Sequence, residues 1–262
     1  MEVVSLIAAL LFSAAVNAAD INVISTQATE EAYKELVAEF EKATGHKVTT
    51  FFSGTLNVQK KLADGELFDL ILIAAPAVDD QIKLGKAVAG SRVDLAKSGT
   101  GLAVRKGAPK PDISSADALK KTLLSAKSIG YSTGPSGLYM LSVFEKLGIA
   151  DQVKGKLRQT PSGVFVGTLI ANGGAEVGFQ QISELVHFAG IDYVGSLPGD
   201  LQRMTMFSTG IHTGAKAGRC REGARQIPHR AGRGTGHQKA RPGARLANCA
   251  ARLRNPFLFL PL

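Results

Sequence analysis

The chain lacks tryptophan, has only two cysteines and contains few aromatic residues, which make up 6% of its 262 residues. Both cysteines, Cys220 and Cys249, lie near the carboxyl end, so the rest of the chain cannot be a disulfide scaffold. No apolar run approaches the roughly 20 residues that a membrane-spanning helix needs. With 45% hydrophobic and 20% charged residues, the composition also excludes a disordered chain. The length allows one large domain or two of about 100 residues each.

The net charge of +9 comes from one end of the chain. Residues 1–215 hold 20 Lys and Arg against 21 Asp and Glu, whereas residues 216–262 hold 11 against one. A strongly basic protein commonly binds nucleic acid or anionic lipid, but here the basicity belongs to the tail alone. We therefore treat the nearly neutral body and the tail separately, and we expect no nucleic-acid partner for the body.

The amino terminus has the pattern of a secretory signal peptide over residues 1–19. Residues 3–16 are apolar apart from two serines, and small residues follow, with a cleavage site near Ala18 or Ala19. The segment Met1-Glu2 lacks the usual positive charge, and a buried amino-terminal helix is the alternative. We expect export to the periplasm.

The body alternates β-type and helical patterns, which predicts an α/β fold with mainly parallel sheets flanked by helices. In the first helix, Tyr33, Leu36, Val37 and Phe40 recur at helical spacing, and Gly45 is a suitable stop. Further helices are predicted at about 115–125, 136–147 and 164–171. The predicted strands are 21–25, 46–52, 68–75, 100–105, 127–131, 175–179, 191–197 and 204–211.

Small polar residues follow four of these strands, where ligands bind in open α/β sheets. Hydroxyl groups, amides and free backbone N–H groups without Lys or Arg suit a small, fully ionised oxyanion. For any one of these junctions, ordinary helix capping is the alternative interpretation. The candidate ligand-binding residues are Ser25, Thr26 and Gln27, then Ser53, Gly54 and Thr55, then Ser132, Ser136 and Gly137, and finally Gln180.

Motifs for catalysis and for metal or cofactor binding are absent from the sequence. The histidines of the body, His46, His187 and His212, are scattered and make no metal-ligand spacing. There is no G-x-S-x-G elbow, and the loop at 134–137 lacks the lysine of a P-loop. We therefore expect neither an enzyme nor a bound metal or cofactor.

Several segments together resemble the periplasmic solute-binding proteins of ABC importers. They include ELVAEFEKATGHKV, FFSGTLNVQKKLADGELFDLILIAAPAVDDQIKLGK, AKSIGYSTGPSGLYMLSVFEKLGI and ANGGAEVGFQQISEL. The resemblance covers about residues 1–216 and is greatest to the molybdate-binding type. It implies a type II periplasmic binding protein fold with two α/β lobes. Lobe one comprises 20–98 and a return strand at 203–215, lobe two comprises 99–202, and hinges lie near 98–101 and 198–203.

The resemblance also implies the ligand and the partners. A small oxyanion such as molybdate or tungstate is held between the lobes and delivered to the membrane permease of an ABC transporter, by a protein that acts as a monomer. Ala28 departs from the family pattern, because molybdate binders usually carry a ligand serine there, and Ser25 or Thr26 is the candidate to replace it. The alternatives are a binding protein for a different anion or a small organic acid, a non-functional frame-shifted product, and, with less support, a periplasmic enzyme.

Residues 216–262 form an aberrant basic tail, which we interpret as disordered or frame-shifted. They are rich in Gly, Pro and Arg and show no helical period, whereas the resembled family has an Ala/Leu-rich helix after its last strand. Back-translating residues 218–230 with GC-rich codons and moving one nucleotide gives AAAAKALARFLTA, an amphipathic helix. The alternative is a genuine basic arm that binds nucleic acid or anionic membrane. Sequencing the gene for a single-base shift distinguishes the two.

Overall fold

The computed structural model describes residues 18–215. Nearly all of the predicted signal peptide and the whole of the basic tail after residue 215 lie outside the described residues. The signal-peptide and frame-shift hypotheses therefore stay predictions. Within the described range no helix is both long enough and apolar enough to cross a membrane.

Strands and helices alternate along the chain, except at two places where one strand follows another and at one place where a helix follows a helix. The strands are β1 (Asp20–Thr26), β2 (Lys47–Ser53), β3 (Leu70–Ala74), β4 (Val93–Ser98), β5 (Thr100–Arg105), β6 (Ile129–Tyr131), β7 (Leu157–Gln159), β8 (Val177–Gln181), β9 (Ile191–Ser196) and β10 (Thr205–Ile211). The helices are α1 (Glu30–Thr44), α2 (Thr55–Ala63), α3 (Ala75–Lys83), α4 (Ala116–Ser125), α5 (Pro135–Lys146), α6 (Ala150–Val153), α7 (Val166–Ala171) and α8 (Ile182–Leu185).

The strands form two five-stranded sheets, in the orders β2-β1-β3-β10-β4 and β7-β6-β8-β5-β9. We call the part of the chain built on the first sheet the first lobe, and the part built on the second sheet the second lobe. In each sheet four strands run in one direction, and only β10 or β5 is reversed. The mainly parallel sheets expected from the sequence are therefore confirmed. The reversed strands are those at which the chain crosses between the sheets: β5 follows β4 of the first sheet, and β10 follows β9 of the second.

Two strands of the structure are missing from the sequence prediction. The strand β4 carries Val93 and Leu95 on one face, but charged and small residues between and after them hide the alternation. The strand β7 has only three residues, of which two are exposed polar side chains. Both strands lie at a sheet edge, where pairing on one side suffices and little apolar surface is needed.

The two faces of the first sheet are covered unequally. On one face Ile24, Ile71 and Ile73 are fully buried against α2 and α3. Residues of opposite parity point to the other face, because successive side chains of a strand alternate. There α1 packs beside an open apolar channel whose lining is mostly half-buried. The channel is lined by Ile21, Val23, Tyr33, Val37, Phe40, Val48, Leu70, Leu72, Ser91, Val93, Leu95, Thr209 and Ile211.

The second sheet is buried on both faces. One cluster includes Leu119 from α4 and Met140 and Phe144 from α5. The other cluster includes Val166 and Ile170 from α7, together with Leu185 from α8. Burial on both sides holds the strand ends that carry the candidate site in place.

Two glutamine side chains, the buried Gln181 and the half-buried Gln202, bind the segments where the chain crosses between the lobes. Gln202 accepts a hydrogen bond of 3.0 Å from the Thr100 N–H and donates one of 2.9 Å to the Thr100 carbonyl oxygen. The Gln181 amide donates to the carbonyl oxygens of Ser98 and Gly99, at 3.0 and 3.1 Å, and accepts a bond of 2.9 Å from Thr205 Oγ1. The crossing segments at residues 98–100 and 202–205 are thus joined to each other through β8.

Candidate functional site

A polar cleft lies between the two lobes, where the carboxyl ends of β1, β2, β6 and β8 approach one another. It is built from loops and helix starts of both lobes, and Phe207 of β10 adds an apolar contact. The cleft is lined by Thr26, Gln27, Ala28, Gly54, Thr55, Ser132, Thr133, Gly134, Pro135, Ser136, Pro161, Gly163, Val164, Gln180, Gln181, Glu184 and Phe207.

The first lobe contributes the amino terminus of α2. Gly54 occupies the N-cap position in an extended conformation and has no side chain with which to cap the helix. Of the first three N–H groups of α2, only that of Asn57 has a recorded partner among the described residues, Ser162 Oγ of the second lobe. The first N–H groups of an α-helix have no partner within the helix. Those of Thr55 and Leu56 are therefore directed beyond the helix end, and the helix dipole adds partial positive charge there.

The second lobe contributes the amino terminus of α5. Gly134 is its N-cap residue, Pro135 is its first residue, and again no side chain caps the helix. The turn before the helix is tight, because a Cβ on Gly137 would lie 1.9 Å from the Ser132 carbonyl oxygen. Glycine at 137 therefore lets the loop fold back and place Ser132 and Ser136 beside the helix terminus. Two helix amino termini, one from each lobe, thus face one cleft.

Four hydroxyl groups of the cleft are available to a ligand. In the described part of the chain, the structure records no hydrogen bond from the side chains of Thr26, Thr55, Thr133 or Ser136. Thr26 and Ser136 are nevertheless buried, with 5% and 2% of their surface exposed. A buried hydroxyl normally has a partner, so these groups are suited to donate to a molecule in the cleft.

The cleft contains one carboxyl group and, among the described residues that line it, no lysine, arginine or histidine. The carboxyl belongs to Glu184 in α8, and it accepts hydrogen bonds from the Gln180 side chain and the Gln181 N–H. Burial nevertheless raises the pKa of Glu184 to about 8, and the negative charge of Glu30 adds to the shift. Glu184 is therefore mostly protonated at neutral pH.

The two lobes are in contact across the cleft. Gln27 Nε2 donates a hydrogen bond of 3.2 Å to the Gly163 carbonyl oxygen. The Asn57 N–H donates one of 3.2 Å to Ser162 Oγ, and Asn57 Nδ2 donates one of 3.1 Å to the Ser162 carbonyl oxygen. Gly54 approaches so closely that a Cβ there would lie 2.4 Å from the Gly163 nitrogen. The loop at residues 161–164 therefore closes over the start of α2.

Seven of the ten residues proposed from the sequence line this cleft: Thr26, Gln27, Gly54, Thr55, Ser132, Ser136 and Gln180. The other three, Ser25, Ser53 and Gly137, lie behind its surface. Ser25 Oγ is 2.9 Å from Thr29 Oγ1, and Ser53 Oγ accepts a hydrogen bond of 3.1 Å from Asn57 Nδ2. These two hydroxyls thus support the loops. Direct ligand contact by any of the ten stays a prediction.

Sequence reasoning missed Glu184 and the loop at 161–164. Glu184 follows Gln181 by three residues, which is the spacing of a capping box and by itself indicates only a structural role. Gly163 is 136 positions from its partner Gln27, so no local pattern reveals the contact. One sequence signal for this side of the cleft was present, namely the pair Gln180 and Gln181 at the end of the buried strand β8.

Comparison with known proteins identifies the family. Residues 21–222 match the family described as bacterial extracellular solute-binding protein. The chain belongs to this family. In keeping with the resemblance described above, it is of the molybdate-binding-protein-like kind.

Three relatives illustrate the range of the family. An aconitate isomerase from a Pseudomonas species is 37% identical over 194 residues, covering 72% of this chain and 74% of that protein. The molybdate-binding protein ModA of Azotobacter vinelandii is 34% identical over 196 residues, covering 73% and 77%. The solved periplasmic molybdate-binding protein of A. vinelandii has a TM-score of 0.62 at 17% identity, covering 88% of this chain and 97% of that one. The last comparison shows the two-lobed fold.

Proposed function

We propose that this solute-binding protein captures a small oxyanion, of the molybdate or tungstate kind, between its lobes and delivers it to the membrane permease of an ABC transporter. The observation that carries the proposal is the convergence on one cleft of two helix amino termini, those of α2 and α5, whose N-cap residues are glycines without a capping side chain. Helix amino termini bind anions through free N–H groups and the helix dipole. The hydroxyls of Thr26, Thr55 and Ser136 supply further donors.

The absence of cationic side chains from the described cleft lining favours a site that releases its bound anion easily. Neutral donors hold a charged oxygen through several hydrogen bonds without the strong attraction of a buried lysine or arginine. Release to a permease requires the bound state to be reversible. The export pattern at residues 1–19 places the protein in the periplasm in this proposal, where it acts as a monomer.

A second candidate is binding or isomerisation of a small carboxylic acid. The observation in its favour is Glu184, a carboxyl that lines the cleft and has the raised pKa expected of a group that exchanges protons near neutral pH. The similarity to an aconitate isomerase supports the same candidate. The molybdate-binding relative of comparable identity supports the first.

Calorimetric titration of the purified chain with molybdate, tungstate, sulfate, phosphate, cis-aconitate and trans-aconitate separates the candidates. The first candidate requires that molybdate or tungstate bind with the highest affinity and 1:1 stoichiometry. Thr55→Val removes a cleft hydroxyl and is expected to weaken that binding, whereas Thr49→Val, at an exposed position of β2, should leave it unchanged. Absence of binding by every anion contradicts the proposal.

Turnover is measured in parallel by proton NMR. A sample with a thousandfold excess of trans-aconitate over protein is followed for appearance of the cis isomer. Conversion by the chain, and loss of conversion in Glu184→Gln, would establish the second candidate and overturn the first.

A further inference from the structure

Glu184 occupies a position in the cleft that an anion-binding site would not be expected to contain. It lies in α8, directly after the strand that carries Gln180 and Gln181, and it is the titratable group among the described residues that line the cleft. Its side chain is only partly exposed. The carboxyl receives two hydrogen bonds from the protein, one from the Gln180 side chain and one from the Gln181 N–H.

The amide of Gln180 is held in one orientation by its other contact. Gln180 Oε1 accepts a hydrogen bond of 2.7 Å from the Val166 N–H, so its amide nitrogen is the atom that faces Glu184. The Gln181 N–H is part of the backbone and cannot turn away. Both donors are thus fixed, and they leave the remaining hydrogen-bonding capacity of the carboxyl for the cleft.

The charged groups around Glu184 do not offset a negative charge on it. Glu30, in the first turn of α1, is the charged group whose field acts on the carboxyl, and it has the same sign. The elements packed against α8 are β5, β8, β9 and the turn at 27–29. The titratable residue of β5 is Arg105, at the end of the strand remote from Gln181. Those of β9 are Asp192 and Tyr193, and neither lines the cleft. His187, which follows α8, is exposed.

An anion at the two helix termini and an ionised Glu184 would repel each other in a poorly solvated cleft. A protonated carboxyl has the opposite effect, because its O–H can donate to an anionic oxygen while its other oxygen still accepts from the protein. We propose that Glu184 is a specificity-determining residue that carries a proton in the closed cleft and donates a hydrogen bond to the bound anion. This inference rests on the proposed function.

As a consequence, anion binding is coupled to uptake of a proton by Glu184. In the open protein Glu184 is better solvated and gives up its proton more easily, so closure on an anion takes the proton up again. The binding constant should therefore fall as pH rises above the pKa of Glu184 in the open protein, by up to about tenfold per pH unit, and it should go on falling above a pH of about 8, where Glu184 is ionised in the unliganded closed cleft as well. The site therefore favours fully ionised oxygens that accept a hydrogen bond.

The test is calorimetric titration with molybdate, tungstate and sulfate at pH 6.5, 7.5, 8.5 and 9.5, since these anions do not titrate in this range. The wild-type chain is compared with Glu184→Gln, whose amide keeps a neutral donor, and with Glu39→Gln, a charge-matched change at an exposed position of α1. At pH 8.5 the titration is repeated in two buffers of different ionisation enthalpy, which counts the protons taken up.

We expect wild-type and Glu39→Gln binding to weaken at least tenfold between pH 7.5 and 9.5, with proton uptake at pH 8.5. Glu184→Gln should bind with an affinity that changes less than threefold over the series and without proton uptake. Wild-type affinity that is constant, or that rises with pH, overturns the inference and leaves the proposed function intact. Failure of all three anions to bind any of the three chains, with a normal thermal transition, overturns both.

Discussion

Ser183 Oγ donates a hydrogen bond of 2.7 Å to the Ala28 carbonyl oxygen. The bond joins α8 of the second lobe to the turn that follows β1 in the first lobe. Together with the contact between Gln27 and Gly163, it defines a closed arrangement in which the cleft is bounded on both sides. The structure therefore indicates which contacts between the lobes must break when a ligand enters.

Replacing Gly54 by alanine should prevent full closure. Its Cβ would lie 2.4 Å from the Gly163 nitrogen and 2.5 Å from Ser162 Oγ, too close for either lobe to stay in place. The φ of Gly54 is −66°, which suits any residue, so the change should not strain the loop itself. Overpacking costs about 1–3 kcal/mol. We expect affinity for the ligand to fall roughly 5- to 150-fold.

Calorimetry measures this loss, and small-angle scattering with and without ligand measures closure. The control is Gly155→Ala, because Gly155 has open space around its Cβ position and no positive φ. The thermal midpoint of Gly54→Ala without ligand should stay near that of the wild type. Wild-type affinity in Gly54→Ala would show that the close approach at residue 163 is not needed for binding.

Removing the hydroxyl of Ser136 should weaken binding with little effect on stability. Ser136 is buried at the start of α5, and in the described part of the chain its hydroxyl has no recorded partner. Alanine therefore leaves no protein group unpaired. A hydrogen bond to a charged group contributes about 1.5–3 kcal/mol, so affinity should fall roughly 10- to 150-fold. Ser142→Ala, which removes a hydroxyl bonded within the same helix, is the control; equal affinities of the two variants would contradict a ligand role for Ser136.

The pH dependence of folding should also carry the signature of Glu184. Its pKa is about 8 in the folded chain against 4.5 for the free side chain, so the folded state binds more protons between these values. The contribution of Glu184 to stability is therefore greatest at low pH and is lost as pH rises from about 4.5 to 8. The slope cannot exceed about 1.4 kcal/mol per pH unit.

Urea unfolding at pH 5, 7 and 9 measures this effect in the absence of ligand. The free energy of unfolding of Glu184→Gln should increase relative to that of the wild type as pH rises, because the amide does not ionise. Glu39→Gln should follow the wild type. Parallel curves for all three chains would mean that the carboxyl is as well solvated in the folded state as in the unfolded one.

Local pattern was sufficient for most of the fold and for part of the site. Strands such as 100–105 and the apolar face of α1 were predictable, because the hydrophobic periodicity and the helix-capping residues can be recognised within a few neighbouring positions. The reversed directions of β5 and β10 were not, since they depend on where the chain crosses between lobes. The cleft side chains at strand ends could be predicted, but Glu184 could not, because its capping-box spacing is the same whether or not a cleft lies beside it.

The apolar channel of the first lobe offers a structural test of the frame-shift hypothesis. The channel exposes Val37, Leu70 and Leu95 in part, on the face opposite the cluster of α2 and α3. If an amphipathic helix belongs there, replacing residues 218–262 by AAAAKALARFLTA should cover it. Burying a Leu or Phe side chain contributes about 1.5–3 kcal/mol, which corresponds to a rise of roughly 5–10 °C in thermal midpoint.

Differential scanning calorimetry compares this chimera with the original chain and with a chimera ending in AAAAKAQARQQTA, which has the same length and charge but no large apolar residues. The chimera ending in AAAAKALARFLTA should also bind less of a hydrophobic dye than the original chain or the glutamine-containing chimera, because the dye reports exposed apolar surface. Equal midpoints for the two chimeras would show that the channel does not accept the apolar helix. The frame-shift hypothesis would then lose its structural argument, even if a single-base shift in the gene restored the helical frame.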